Sequence, residues 1–136
     1  MAVLCVLCWE RSTATFIYGY NSFMTHYSEV TANVYDQIKH GKRIIEPRVN
    51  DPAHRNIRPG DLIVVRNRDT KEEIITKVVG VLRYPSFVEM LQANPPSRFG
   101  ADDEREVLAE MSRYYLPEHE MEHGVLGIKL HVLKKR

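Results

Sequence analysis

A short stretch, Lys42-Arg43-Ile44-Ile45-Glu46-Pro47-Arg48-Val49, concentrates the groups most able to do chemistry. Read with a two-residue period, it places Ile45, Pro47 and Val49 on one face of a strand and Ile44, Glu46 and Arg48 on the other. Arg48 offers a planar fork suited to a phosphate or a base edge, and Glu46 an acceptor for an exocyclic amine. The same two groups can equally neutralise each other as a structural pair. Lys42 and Arg43 add positive charge at the mouth of any cleft beside this strand.

Two other motifs carry chemistry on their face. His119-Glu120-Met121-Glu122-His123 matches H-E-x-x-H, in which two histidines one helical turn apart hold zinc and the glutamate acts as base. Pro117 and Gly124 bracket it so closely that a stable helix is not expected, and no third ligand follows. Cys5 and Cys8 form a lone C-x-x-C without the second Cys or His pair of a closed zinc site, and read as inert thiols. No metal or other cofactor is expected.

Those residues need elements to hold them. Val34, Tyr35 and Ile38, followed by Gly41, predict a helix over about 32–40. The strand 43–49 follows, and Pro47, which lacks an N–H, makes it an edge strand or one with a bulge. Asn50–Gly60 is turn-rich and leads through Arg58-Pro59-Gly60-Asp61 into a buried strand, Leu62-Ile63-Val64-Val65. Asn67–Lys71 reverses the chain into a second strand, 73–82, to complete an antiparallel hairpin. Asn67 is a turn residue by this reading, with a ligand contact as the alternative. Ser86-Phe87-Val88-Glu89 has the form of a capping box opening a short helix, which Asn94-Pro95-Pro96 stops. Val107, Leu108, Met111, Tyr114 and Tyr115 then lie on one face of an amphipathic helix led by Asp102, Asp103 and Glu104. One of Tyr114 and Tyr115 can stack on a base, although helix-end aromatics commonly belong to a core. Gly124–Leu133 reads as a closing strand, and Lys134-Lys135-Arg136 as a solvated tail.

In this order the motifs resemble the signature of the ASCH (activating signal cointegrator homology) family. Ile38-Lys-His-Gly-Lys-Arg-Ile-Ile-Glu-Pro-Arg48 resembles its I-K-x-G-x-K-x-I-E-x-R element, and Ile57-Arg-Pro-Gly-Asp-Leu-Ile-Val64 its I-K-x-G-D-x-I-x-F element. Ser86-Phe87, Tyr114-Tyr115 and Gly124-Val125-Leu126-Gly127-Ile128 are similar to the family's later motifs. The resemblance spans about residues 25–133. It implies an α+β fold, a PUA-like mixed or antiparallel β-barrel of five to six strands flanked by two to three short helices. It further implies a cleft beside the Lys/Glu/Arg strand that accepts RNA, a nucleotide or a modified nucleoside. Lys42, Arg43, Glu46, Arg48, Asn67, Tyr114 and Tyr115 are the candidate ligand-binding residues. Some ASCH-like proteins are hydrolases, among them acetylcytidine amidohydrolases that use a Lys, a Thr three residues on, and a Glu. Here the two registers pair Lys42 with Ile45 or Arg43 with Glu46, and neither supplies the hydroxyl nucleophile. An enzyme on this cleft, a ribonuclease included, would have to rest on Lys42 and Glu46.

Composition sets the outer bounds. The chain of 136 residues has 43% hydrophobic and 27% charged residues, ordinary for a globular protein and unlike a collagenous, disordered or disulfide-stapled one. The net charge of +1 gives no global reason for a polyanion partner, but the distribution is uneven. Lys39–Arg68 holds eight basic and three acidic residues (+5), and Ala101–Glu122 eight acidic and two basic (−6). A shared basic face would bind phosphates in a salt-dependent way, or dock an acidic protein partner; alternatively the charges solvate strand edges and pair with the acidic helix. The apolar run Met1–Trp9 is too short to span a bilayer and lacks a basic lead. No membrane association is expected, and the cytoplasm is the default compartment. Residues 1–23 read as an extension, Met24 itself being a possible start, and 24–136 as the ASCH domain.

Overall fold

The computed structural model describes residues 23–135. The readings that concern Cys5, Cys8, the Met1–Trp9 run and Arg136 lie outside the described residues. Five strands and four α-helices follow in the order β1 (Thr25–Val30), α1 (Ala32–Lys39), β2 (Ile45–Val49), β3 (Leu62–Asn67), β4 (Glu73–Tyr84), α2 (Phe87–Ala93), a 3-10 turn (Pro96–Arg98), α3 (Glu104–Tyr114), α4 (Pro117–His123) and β5 (Val125–Lys135). The strands form one curled mixed sheet in the order β1-β3-β4-β5-β2, a half-barrel with β1 and β2 as its two edges.

Local chemistry explains most boundaries. Thr31 caps α1 by accepting from the Val34 N–H, and Gly41, at φ +74°, takes the left-handed turn that ends it. Ser86 accepts from Glu89 N–H and Asp103 from Glu106 N–H at the starts of α2 and α3. Asn67 is buried and its Oδ1 accepts from the N–H groups of Asp69 and Thr70, fixing the β3–β4 reversal. β3 and β4 pair antiparallel, as the hairpin requires, and β4 continues against β5 with two register shifts. Pro47 falls on edge strand β2, opposite Gly127 of β5. A Cβ on Gly127 would meet Ile45 Cγ2 and Met90 Sδ at 3.1 Å, so the glycine lets α2 approach the sheet closely.

Three local expectations change. Residues 25–30, assigned no element from sequence, form β1, which pairs parallel with β3 from Thr25↔Leu62 to Val30↔Asn67. The strand expected from Arg43 begins at Ile45, because Arg43 makes an isolated bridge with Phe99 and the Ile44 N–H bonds to the Arg98 carbonyl. Ile44, placed with Glu46 and Arg48 by strict alternation, accordingly packs against the core beneath α2 and α3. The H-E-x-x-H segment does form a helix, α4, with Pro117 at its first turn and the carboxylate of Glu120 accepting from the Phe87 N–H. This adds a fourth helix to the two or three expected.

Two apolar clusters flank the strands. One lies on the concave face, where Tyr35 and Ile38 of α1 meet Ile63, Val65, Ile74, Val78 and Ile128. The other joins Ile45, Val49 and Val125 to Phe87 and Met90 of α2 and Val107 and Met111 of α3. β2 lies between them, with Ile45 and Val49 facing the second cluster and Glu46 and Arg48 turned to the seam between the sheet's edges.

Candidate functional site

Glu46 is the centre of the seam. It is 5% exposed, and its Oε1 accepts from Arg43 Nη2 and from Arg48 Nη1, each at 2.6 Å. Arg43, 3% exposed, also forks onto Glu110 of α3, Nη1 to Oε1 at 2.9 Å and Nη2 to Oε2 at 2.8 Å. Arg48 donates as well to the Pro47 carbonyl, and its Nη2 lies 3.5 Å from Ser28 Oγ of β1, across the seam. Burial, the largest influence on Glu46, opposes its ionisation, but Arg48 and Arg43 outweigh it and hold the carboxyl below its usual range. Burial likewise works against the charge on Arg43, and Glu46 and Glu110 more than restore it, so its pKa is raised. Both partners stay charged. The second carboxylate oxygen, Glu46 Oε2, is buried and has no hydrogen-bond partner.

Two cavities meet at Glu46 and Arg48. The larger, about 290 Å³, occupies the interior of the half-barrel. Its walls are His26, Ser28 and Val30 of β1, Ile63 and Val65 of β3, Ile128 and Leu130 of β5, and Ala53, His54 and Ile57 of the loop that covers it. The smaller, about 210 Å³, lies between the start of α1 and the end of α3, lined by Glu29, Thr31, Arg43, Arg68, Glu110, Tyr114 and Tyr115 with Glu46 and Arg48.

Two histidines of the larger cavity are each held by an aspartate. His26, 4% exposed, has its Nε2 2.8 Å from Asp61 Oδ2, and its Nδ1 is buried without a partner. Asp61 is fully buried and accepts from the N–H groups of Met24 and Arg58. His54 Nδ1 lies 2.8 Å from Asp51 Oδ1. Burial, only partly offset by Asp51, pushes the His54 imidazole below its ordinary pKa.

The structure therefore brings Arg43, Glu46, Arg48, Tyr114 and Tyr115 to the seam. Tyr114 is 53% exposed beside the smaller cavity, whereas Tyr115 is half-buried, its ring 6.2 Å from that of Phe87. Burial raises the Tyr115 pKa, with Arg48 and the Val49 backbone pulling the other way. Lys42 is exposed and lines neither cavity at the seam, and neither does Asn67, whose side chain is committed to its turn. Sequence reasoning did not single out His26, Ser28, His54 or Glu110; only Asp61 had a signal, the Gly-Asp pair. Among the described residues no group of three or more His, Cys, Asp or Glu side chains is arranged to hold a metal. His119 Nδ1 instead accepts from the Leu116 N–H, and His123 Nδ1 lies 3.4 Å from Arg55 Nη2.

A curled five-stranded sheet, with a charged edge strand facing an open seam and helices on both flanks, is an α+β architecture of the ASCH type. The family model for the ASCH domain matches residues 29–133, and the chain belongs to that family. Among solved structures, hypothetical protein PH0355 is 29% identical at a TM-score of 0.71, covering 81% of this chain and 100% of its own. Protein PF0455 from Pyrococcus furiosus is 28% identical at 0.64, covering 81% and 98%. An ASCH domain from Lactobacillus crispatus, 16% identical at 0.52 and covering 79% of each chain, shares the fold. No curated protein matches the chain. Among the described residues no helix is long and apolar enough to cross a membrane.

Proposed function

We propose that this ASCH protein binds RNA or a nucleotide at the seam between β1 and β2, with a base-sized group entering the larger cavity. The observation that carries this reading is Glu46. A buried, ionised carboxylate with one oxygen anchored by two arginines and the other unpartnered, where two cavities meet, has the form of a recognition group. The volume is near the lower end for small-ligand pockets, about 300 Å³, and suits one heterocycle better than a larger cofactor. Tyr114, at the adjoining cavity, offers an exposed face for stacking, and Arg68 a cation for a phosphate. The hydrolase reading is weaker, because Lys42 does not share a cavity with Glu46 and the β2 strand carries no hydroxyl.

Calorimetric titration with nucleosides, nucleoside monophosphates and short single-stranded RNA tests the proposal. Glu46→Gln and Arg48→Ala should each weaken binding about tenfold or more, as expected for loss of a charge-assisted hydrogen bond. Because Arg43 and Arg48 are committed to carboxylates, the salt dependence should be shallow, the slope of one or two phosphate contacts, about −0.7 each on a log–log plot. Unchanged affinity in both variants would remove the seam as the site.

A further inference from the structure

Away from the seam, β5 is longer than the strand beside it. β2 covers it only from Val125 to Lys129, whereas β4 accompanies it to Lys135, so residues 130–135 have a strand on one side alone. On the open side Leu130 gives its N–H to the Ile44 carbonyl. With a two-residue period the Leu130 C=O and the Val132 N–H and C=O point the same way, and among the described residues no hydrogen bond meets them there. The open stretch is short, because the register against β4 shifts after Val132, where Leu133 is the extra residue. The free edge of β2, by contrast, is blocked at Pro47, which has no N–H and whose carbonyl accepts from Arg48. Beside the open edge of β5 lies the end of α1, and the two enclose a groove of about 300 Å³. Its floor is apolar, made by Ile38, Ile44, Leu130 and Val132, and Lys39 and His131 stand on its rim. No acidic side chain lines it. Lys42, exposed, lies in the chain between two lining residues, Gly41 and Arg43. The Arg43 guanidinium is committed to Glu46 and Glu110, so Lys39 and Lys42 supply the groove's positive charge. Entry is open at Gly41, where a Cβ would meet nothing within 4 Å.

We propose that this groove docks an acidic, extended peptide segment of a partner protein, which adds a short strand to β5 at Leu130–Val132 and sets its carboxylates against Lys39 and Lys42. Main-chain pairing with the open edge supplies the register, the apolar floor takes alternate side chains, and the lysines select for negative charge. A nucleic acid would meet the same cations but not the rest of the groove. Unpaired backbone groups in strand geometry are satisfied by another strand, and no exposed Phe, Tyr or Trp ring lines the groove to stack a base. Tyr35, whose ring lies under the Lys39 ammonium at 5.9 Å, is itself 2% exposed. The proposal is independent of what the seam binds, since the groove and the two seam cavities share only Arg43 and Leu130.

The probe is the peptide acetyl-Val-Glu-Val-Glu-Val-amide, titrated into the isotope-labelled full chain and followed by amide NMR. Its comparators are the same peptide with Lys in place of Glu, two versions N-methylated either on the Val or on the Glu residues, and a single-stranded oligouridylate. The acidic peptide should shift the Gly41, Leu130, His131 and Val132 amides and slow exchange of the Val132 N–H with solvent. The Lys peptide should bind about tenfold or more weakly, as should the acidic peptide to the Lys39→Glu, Lys42→Glu double variant. One N-methylated version should lose binding and the other keep it, because alternate N–H groups of a strand point to opposite edges. No shift at millimolar acidic peptide would overturn the proposal and leave the lysines and the Leu133 bulge as guards of an open edge. Equal binding of the Lys peptide, or of both N-methylated versions, would overturn it as well. So would the oligouridylate moving these amides where the peptide does not, which would make the groove a nucleic-acid surface. The peptide comparisons need no variant, and so decide the matter even if the double variant does not fold.

Discussion

Replacing Arg43 with methionine should cost this protein about 3 kcal/mol of stability. The guanidinium is 3% exposed and bridges two elements distant in sequence, β2 through Glu46 and α3 through Glu110. Removing one partner of a buried ion pair typically costs about 3–5 kcal/mol, because the other charge is left without compensation. Two features place Arg43 at the low end. Glu46 keeps Arg48 at 2.6 Å, and the Glu110 side chain is 22% exposed and can take water in place of the lost fork. Methionine also fills most of the volume of the arginine stem, so the cavity contribution is small.

Urea denaturation is the assay. With a slope of about 1.5 kcal/mol/M, a loss of about 3 kcal/mol lowers the midpoint by about 2 M without changing the slope. The cause is separated by a double-mutant cycle: in the Arg43→Met background, Glu46→Gln should cost less than in the wild type, because it removes a buried charge that has lost half its compensation. A midpoint shift under about 0.5 M with an unchanged slope, or strict additivity in the cycle, would refute the view that Arg43 holds Glu46 as a charged group.

Three further outcomes follow from the same geometry. Asp61→Ala leaves two backbone N–H groups and the His26 ring without their acceptor in a fully buried site, and should cost at least about 3 kcal/mol in urea midpoints; a loss below about 1 kcal/mol would mean the β1–β3 junction does not depend on it. Gly127→Val forces atoms into the 3.1 Å gaps to Ile45 and Met90, and should cost about 1–3 kcal/mol by thermal melting, with no loss contradicting the close approach of α2. For pH, the folded His54 has a lowered pKa, so the unfolded chain binds the extra proton first. Its contribution is intact above about 6.5 and is lost as the pH falls below that, with Glu46, also lowered, adding a second loss as the pH falls below about 4.5. Thermal melts from pH 8 to 5 should therefore fall more steeply for the wild type than for His54→Gln, and parallel curves would contradict the burial of a neutral ring.

The division between what the sequence disclosed and what it concealed has a physical cause. Elements that bury apolar faces were legible: α1 through Val34, Tyr35 and Ile38, the β3–β4 hairpin through its β-branched run, α3 through Val107 and Met111. Glu46 and Arg48 were legible as a face of β2 because the strand's other face is apolar. β1 was not, because its inward residues are His26, Ser28 and Val30 and its outward ones include Tyr27 and Glu29, which reverses or blurs the polar alternation that marks a strand. Its inner face lines a cavity as well as a core, Val30 packing into the first cluster, and the chemistry placed there is what removed the pattern. Ile44 was misplaced for the complementary reason: spacing along a strand assumes that the strand has begun, and the bridge from Arg43 to Phe99 shows that it has not. His26 and Asp61, 35 residues apart, meet only because β1 inserts parallel to β3, a long-range pairing that no local pattern encodes. The part of the site contributed by the edge strand β2 was therefore readable in advance, and the part contributed by the opposite edge required the sheet to be closed around it.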